Sequence, residues 1–258
     1  LSTWYFDLFT TGEWEGLARY ANINKVSAKR SLDWVDYLLA DFVGGAYPDH
    51  LLKNSVPGGL PLLGFPEISM YGATPWGGFG ANPYPGVINS LWEKASALQA
   101  GGFPYSEGIF DDVNKVLCAQ KYWDSRHSTA AILKEYIAYE FSSEVVEAVS
   151  KAIHLLERAL PRRRVDEAGA FHDYPDRHNP PVGQSRFVIE QPEGVNEAWN
   201  LLQSVDGQLQ EQARAAWRWR ILYLRGQIDW ELAHQNFYVN EACEAAFREL
   251  VEIYHAQR

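Results

Sequence analysis

Three short apolar runs, each followed by a stretch of helical periodicity, occupy the first half of this chain, and that alternation restricts its fold more than any other feature. Residues 3–10 (Thr-Trp-Tyr-Phe-Asp-Leu-Phe-Thr) read as an aromatic-rich strand. Leu32, Val35, Leu38, Leu39 and Phe42 then recur at helical spacing over residues 28–42, with Gly44-Gly45 as the stop. A second strand is predicted over 60–68 and a helix over 84–98, with Val87, Leu91 and Leu98 among its apolar positions. A short third strand, residues 101–107, leads into a helix over 109–123 carrying Ile109, Val113, Val116, Leu117 and Gln120 on one face. Strand and helix in repeated alternation predict parallel strands joined by crossover helices.

The second half reads differently. Ile132, Leu133, Tyr136, Ile137 and Phe141 make one amphipathic helix, and Val145, Val149, Ile153, Leu156 and Leu160 the next. Residues 161–192 form a long connection with a short strand at Arg186–Ile189. The pattern from Val195 through Trp199, Leu202, Leu209, Trp217, Leu224, Ile228 and Leu232 suits one helix or two, bent near Gly207 or Gly226. A last helix starts at Asn240, a good cap. The expected fold is α/β followed by all-α: βα units over residues 1–125 and a helical domain over 126–258. Three βα units do not close an eight-stranded barrel, which takes about 250 residues by itself. They make either a small open α/β unit or the end of a barrel whose earlier strands lie on other polypeptide.

Charge narrows the partners. The 258 residues carry a formal net charge of −10, which argues against nucleic acid, since phosphate backbones demand concentrated positive charge. Arg162-Arg163-Arg164, the one basic run, follows Pro161 and reads as a solvated turn. Two cysteines, Cys118 and Cys243, exclude a disulfide scaffold. No stretch is long and apolar enough to span a membrane, and no basic-then-apolar leader opens the sequence, so a cytoplasmic location is the expectation. The sequence lacks an initiating Met and opens on a strand, as a fragment or a processed product would.

The stretch from Leu60 to Pro83 concentrates the chemistry. An apolar strand ends on Glu67, and Tyr71, Trp76 and Phe79 follow, spaced by glycines and prolines. Aromatic rings cover the C–H face of a sugar while carboxylates hold hydroxyls or move protons. The same loop also reads as structural, with glycine for backbone freedom and aromatics for packing. The candidate acids are Asp7, Glu13, Glu15, Glu67, Glu107, Asp111 and Asp112. Asp7, Glu67 and Glu107 each fall near a predicted strand's C-terminal end, where parallel α/β folds hold ligands. Asp111 and Asp112 read as capping or solvated acids at a helix start. His172, Asp173, Asp176 and His178 offer metal-ligand types without a metal-site spacing. His154 and His234 read as ordinary helical residues. Trp217-Arg-Trp219-Arg220 reads as helix packing, with Arg stacked on Trp as the alternative. There is no phosphate loop, nucleophile elbow or His-Glu-x-x-His pattern, and no cofactor is expected.

The runs Gly64–Asn82, Pro104-Tyr-Ser-Glu-Gly-Ile-Phe-Asp-Asp-Val-Asn-Lys115 and Ala119-Gln-Lys-Tyr-Trp-Asp124 resemble the C-terminal part of a group of large bacterial proteins. That group is similar to barrel glycosidases of the hexosaminidase and α-glucuronidase kind. The resemblance covers roughly residues 1–160. It implies that the three βα units are the last three of a (β/α)8 barrel, with Glu67 ending the seventh strand. In retaining barrel glycosidases that position holds the nucleophile, and the acid follows the fourth strand, which this sequence does not contain. Hexosaminidase-like enzymes place their key acids after the fourth strand and use later strands as aromatic walls. On that model Trp4, Trp14, Tyr71 and Trp76 are walls, and Glu67 and Glu107 hold sugar hydroxyls.

The expectation is therefore a glycoside hydrolase, or the C-terminal part of one, with Glu67 and Glu107 as catalytic acids. Trp4, Asp7, Trp14, Tyr71, Trp76 and Tyr105 are its substrate contacts, and no metal takes part. A non-catalytic carbohydrate-binding or scaffold module is the alternative. A purely structural domain used in assembly is a third. The expected partners are a carbohydrate and either a further barrel portion or a second copy of the chain.

Overall fold

The computed structural model describes residues 2–5, 12, 15–16, 36–42, 49–56, 59–69, 80–106, 108–159, 162–165, 171–172, 186–189 and 191–257. Four strands lie side by side in chain order and all run parallel: β1 (Ser2–Tyr5), β2 (Tyr37–Phe42), β3 (Leu62–Ser69) and β4 (Gln99–Gly102). After Phe103-Pro104 a short β5 (Tyr105–Ser106) continues along the same neighbour, β3. The Phe103 N–H donates to the Gly64 carbonyl at 2.8 Å and keeps the two segments in step.

β2 corrects the sequence expectation. Leu38, Leu39 and Phe42 fit a helical spacing, yet 37–42 is a strand, and residues 28–35 lie outside the described ones. Burial alternates along it: Leu38 and Ala40 are 1% exposed, whereas Tyr37 is 43% exposed. A short apolar run satisfies both periods. Here the strand prevails because β1 and β3 flank it and take up its backbone groups on both sides. Among the described residues the first half thus contributes a strand, β2, where a helix is expected.

Helices cover one face of this sheet. Leu38, Ala40 and Leu62 pack with Leu51 of α1 (Asp49–Asn54) and Ala95 of α2 (Pro85–Ala95) in a compact aliphatic core. The opposite register positions hold Tyr37, Leu39, Leu63 and Phe65, which are exposed or half-buried.

The remaining helices form a second, larger core. They are α3 (Asp112–Trp123), α4 (Thr129–Glu140), α5 (Val146–Arg158), α6 (Val195–Asp206), α7 (Glu211–Ala215), α8 (Trp217–His234) and α9 (Glu241–Ala256). Their starts are written in the sequence. Ser128 caps α4 by accepting from the Ala131 N–H at 3.1 Å, and Asn240 caps α9 through the Cys243 N–H at 2.8 Å. The long pattern of the sequence breaks at Gly207, and α8 runs through Gly226 as one helix. α5 packs on α6, α6 on α8 and α8 on α9. Leu133, Val149, Leu156, Leu202, Trp219, Ile228 and Phe247 lie fully inside.

Between α5 and α6 the chain forms a three-stranded antiparallel sheet, β6 (Arg162–Val165), β7 (Phe171–His172) and β8 (Arg186–Ile189), in the order β7-β6-β8. β8 is the strand expected at that position. The arginine run is strand β6 rather than a turn, because pairing with β8 residue by residue takes up its backbone groups. The molecule is a mixed α/β protein, largely helical, with a small parallel sheet.

Candidate functional site

All strands of the first sheet are parallel, so Tyr5, Phe42, Ser69 and Ser106 end on one edge. That edge is where parallel α/β folds carry their ligands. Glu67 is the register partner of Tyr105, with a register shift between Glu67 and Ser69. The Tyr105 ring stacks on Phe65, centroids 5.6 Å apart and planes inclined by 29°. Tyr105 keeps 36% of its surface exposed, and Phe103, two residues earlier, keeps 58%. The backbone of Glu67 is therefore in register with a residue whose ring belongs to an aromatic ledge open to solvent. Gly102 is needed to seat the ledge: a Cβ there would fall 2.2 Å from the Tyr122 ring.

Of the expected site residues, Glu67 and Trp4 lie in strands, Trp4 in register with Leu39 of β2. Glu107, Asp7, Trp14, Tyr71 and Trp76 lie outside the described residues. Sequence reading missed Asp41. Its Cα is level with Phe65 on the neighbouring strand, and it alternates with Ala40 and Phe42 as Glu67 alternates with Pro66 and Ile68. Asp41 and Glu67 thus occupy diagonal register positions on adjacent parallel strands. The signal was hidden because 28–42 reads as a helix, which gives Asp41 no strand end to occupy.

Other candidates fall into structural roles. Asp112 is neither a cap nor solvated: it accepts from Tyr136 Oη at 2.9 Å and from Arg218 Nε at 2.7 Å, tying α3 to α4 and α8. Burial, then the charge of Asp112, pushes the Tyr136 phenol well above its usual range. Trp219 is fully buried and donates its indole N–H to Asp206 at 2.8 Å. Arg218 stacks on Trp217, 4.4 Å from the ring centroid, so the packing and stacking readings of this run both hold. His172 lies in β7, and 173–185 fall outside the described residues, among which no His, Cys, Asp or Glu group is arranged to hold a metal. No described helix is long and apolar enough to cross a membrane.

One cavity of about 40 Å³ lies on the helical side of the sheet, among Pro66, Ile68, Trp92, Gln99, Cys118 and Tyr122. Its walls are mostly apolar, and burial pushes the Cys118 thiol up to about 12. A neutral, buried thiol is a packing group rather than a nucleophile.

No protein-family model matches the sequence, and no curated protein matches it. Among solved structures it is similar to a family GH115 4-O-methyl-α-glucuronidase with specificity for decorated arabinogalactans, at 10% identity and a TM-score of 0.47. The alignment covers 84% of this chain and 32% of that enzyme. The chain therefore spans about a third of the enzyme's length.

Proposed function

We propose that this chain is part of a glycoside hydrolase, with the sugar bound at the C-terminal edge of the parallel sheet. The observation that carries the reading is the pairing of Glu67 with Tyr105, whose ring stacks on Phe65 beside the exposed Phe103. Rings of this kind take the C–H face of a pyranose, and a neighbouring carboxylate reaches its hydroxyls or anomeric carbon. Trp4, Asp7, Trp14, Tyr71 and Trp76 complete the contacts in this reading. Glu67 serves as nucleophile or as the acid that holds substrate, and Glu107 as a second acid or hydroxyl ligand. The register of β2 on β3 supports adding Asp41, diagonal to Glu67 on the neighbouring strand.

In the same reading the sheet is four consecutive strands of a (β/α)8 barrel. Helices on one face and exposed aromatics on the other suit a sheet that curls around a barrel interior. The complete activity then needs the strands that carry the other half of the site.

Turnover of p-nitrophenyl glycosides, α-D-glucuronide included, tests the reading in the full-length protein. Glu67→Gln should abolish turnover with little change in melting temperature. Unchanged turnover with a lowered melting temperature makes Glu67 a structural acid. Saturable polysaccharide binding without turnover, lost in Tyr105→Ala, replaces hydrolysis by the non-catalytic binding reading, which the exposed Phe103 and Tyr105 also suit.

A further inference from the structure

β5 is two residues long, whereas strands of globular proteins run to about 3–10, so its place depends on what fixes its ends. The Gly64 carbonyl holds the entry by accepting from the Phe103 N–H at 2.8 Å. At the exit, Ser106 is level with Ser69 of β3, and the chain then turns into α3. The carbonyls of that turn lie before the helical ladder or at its start, and each finds its own donor. Asp111 accepts from the Lys115 N–H at 3.0 Å and Ile109 from the Asp112 N–H at 3.2 Å. Phe110 accepts from the distant Asn82 N–H at 2.8 Å. The Gly108 carbonyl is taken by side chains: Ser106 Oγ donates to it at 3.2 Å, and so does the Lys115 ammonium. The Gly108 N–H returns to Ser106 Oγ at 3.4 Å.

Lys115 stands three and four residues after Asp112 and Asp111, a spacing at which a helix ordinarily pairs opposite charges. Asp112 is engaged instead by Tyr136 and Arg218, and among the described residues Lys115 makes no ion pair. Its ammonium turns back to a carbonyl that precedes the helix. The turn is braced from behind. Phe110 is 5% exposed, with its ring 5.9 Å from that of Tyr254 on α9. Asn82, which donates to Phe110, accepts on Oδ1 from the buried Arg225 of α8 at 3.1 Å and on its carbonyl from Asn114 of α3 at 2.7 Å. Arg225 reaches the Ala81 carbonyl as well, at 3.0 Å. An anchor at Phe110 and a tie at Gly108 leave Ser106 little freedom, and Tyr105 precedes it directly. We propose that Lys115 is a positioning residue, whose hold on the Gly108 carbonyl keeps β5 on β3 and the Tyr105 ring stacked on Phe65. The consequence for sugar binding rests on the glycosidase reading; the tie itself does not.

Residue-resolved hydrogen exchange on the full chain tests it without any substrate. Lys115→Met keeps the apolar stem and removes the donor. It should speed exchange over residues 103–106 by about tenfold, the scale of one hydrogen bond to a charged group, and leave α5 and α6 at wild-type protection. Lys115→Arg restores a charged donor and should recover most of the lost protection. Leu209→Ala, in the helical core between α6 and α7, serves as the control for lost stability: it should lower the melting temperature and leave 103–106 protected as in the wild type. Wild-type exchange in Lys115→Met, equal opening in Leu209→Ala, or opening in Lys115→Met that Lys115→Arg does not reduce each overturns the proposal. An absence of glycosidase turnover counts against the glycosidase reading alone. Where turnover exists, Lys115→Met should raise KM several-fold more than it lowers kcat, and a fall in kcat at unchanged KM overturns the role of the tie in binding.

Discussion

The two regions of this molecule bury their interiors in different ways. Behind the parallel sheet the core is small and aliphatic, built from Leu38, Ala40, Leu51, Leu62 and Ala95, and the other face of the sheet leaves Tyr37 and Tyr105 in reach of solvent. The helical region instead encloses Trp219, Phe247 and even Arg225 completely, and it extends to Ala81, Tyr84 and Ile88 at the edge of the sheet. A region closed on all sides carries stability. A region closed on one side keeps a surface to offer. The difference assigns stability to the helices and, on the proposed function, recognition to the sheet edge, with residues 80–87 in contact with the helices.

Equivalent truncations in the two cores should separate these roles. Leu133→Ala, in the helical core, should cost about 4 kcal/mol and shift the whole urea transition. Leu62→Ala should cost about 2–3 kcal/mol, with faster hydrogen exchange confined to β2, β3 and α1. Equal and global effects of both would merge the two regions into one cooperative unit. Gly102→Ala drives a methyl into the Tyr122 ring and should cost about 1–3 kcal/mol by thermal melting, more than an exposed glycine would. Glu157→Ala leaves the first N–H groups of α2 without their carboxylate. A loss of about 1 kcal/mol, with α2 exchanging faster than α5, is the expected result. The smallest effect concerns Cys118. Its thiol ionises at about 9 when unfolded and about 12 when folded, so native stability from this group holds below pH 9 and is lost as pH rises toward 12. Iodoacetamide at pH 8 should leave it unlabelled until the protein unfolds.

Much of the helical region was legible because its signals are local. Asn240 and Ser128 announce helix starts, and the apolar spacing of Ile132, Leu133, Tyr136 and Ile137 describes the face that is buried. Arg225 and Asp229 carried a readable signal as well: an opposite-charge pair four apart, at the apolar register of Ile221, Leu224, Ile228 and Leu232, needs a buried partner. What it holds was not readable, because Ala81 and Asn82 lie more than 140 residues earlier in the chain.

The sequence by itself determined the strands at 60–68 and 186–189, the helices of the second half and the place of Glu67 near the end of its strand. These follow from periodicity, caps and turn residues, which act within a few positions of chain. Tertiary structure alone decided that 37–42 is a strand, that Asp41 therefore lies on the strand next to Glu67, and that three distant helices hold residues 81–87. In each case the local preference was degenerate or silent. The choice came from pairing partners brought together only when the backbone groups of β2 and of residues 80–87 are satisfied inside the fold.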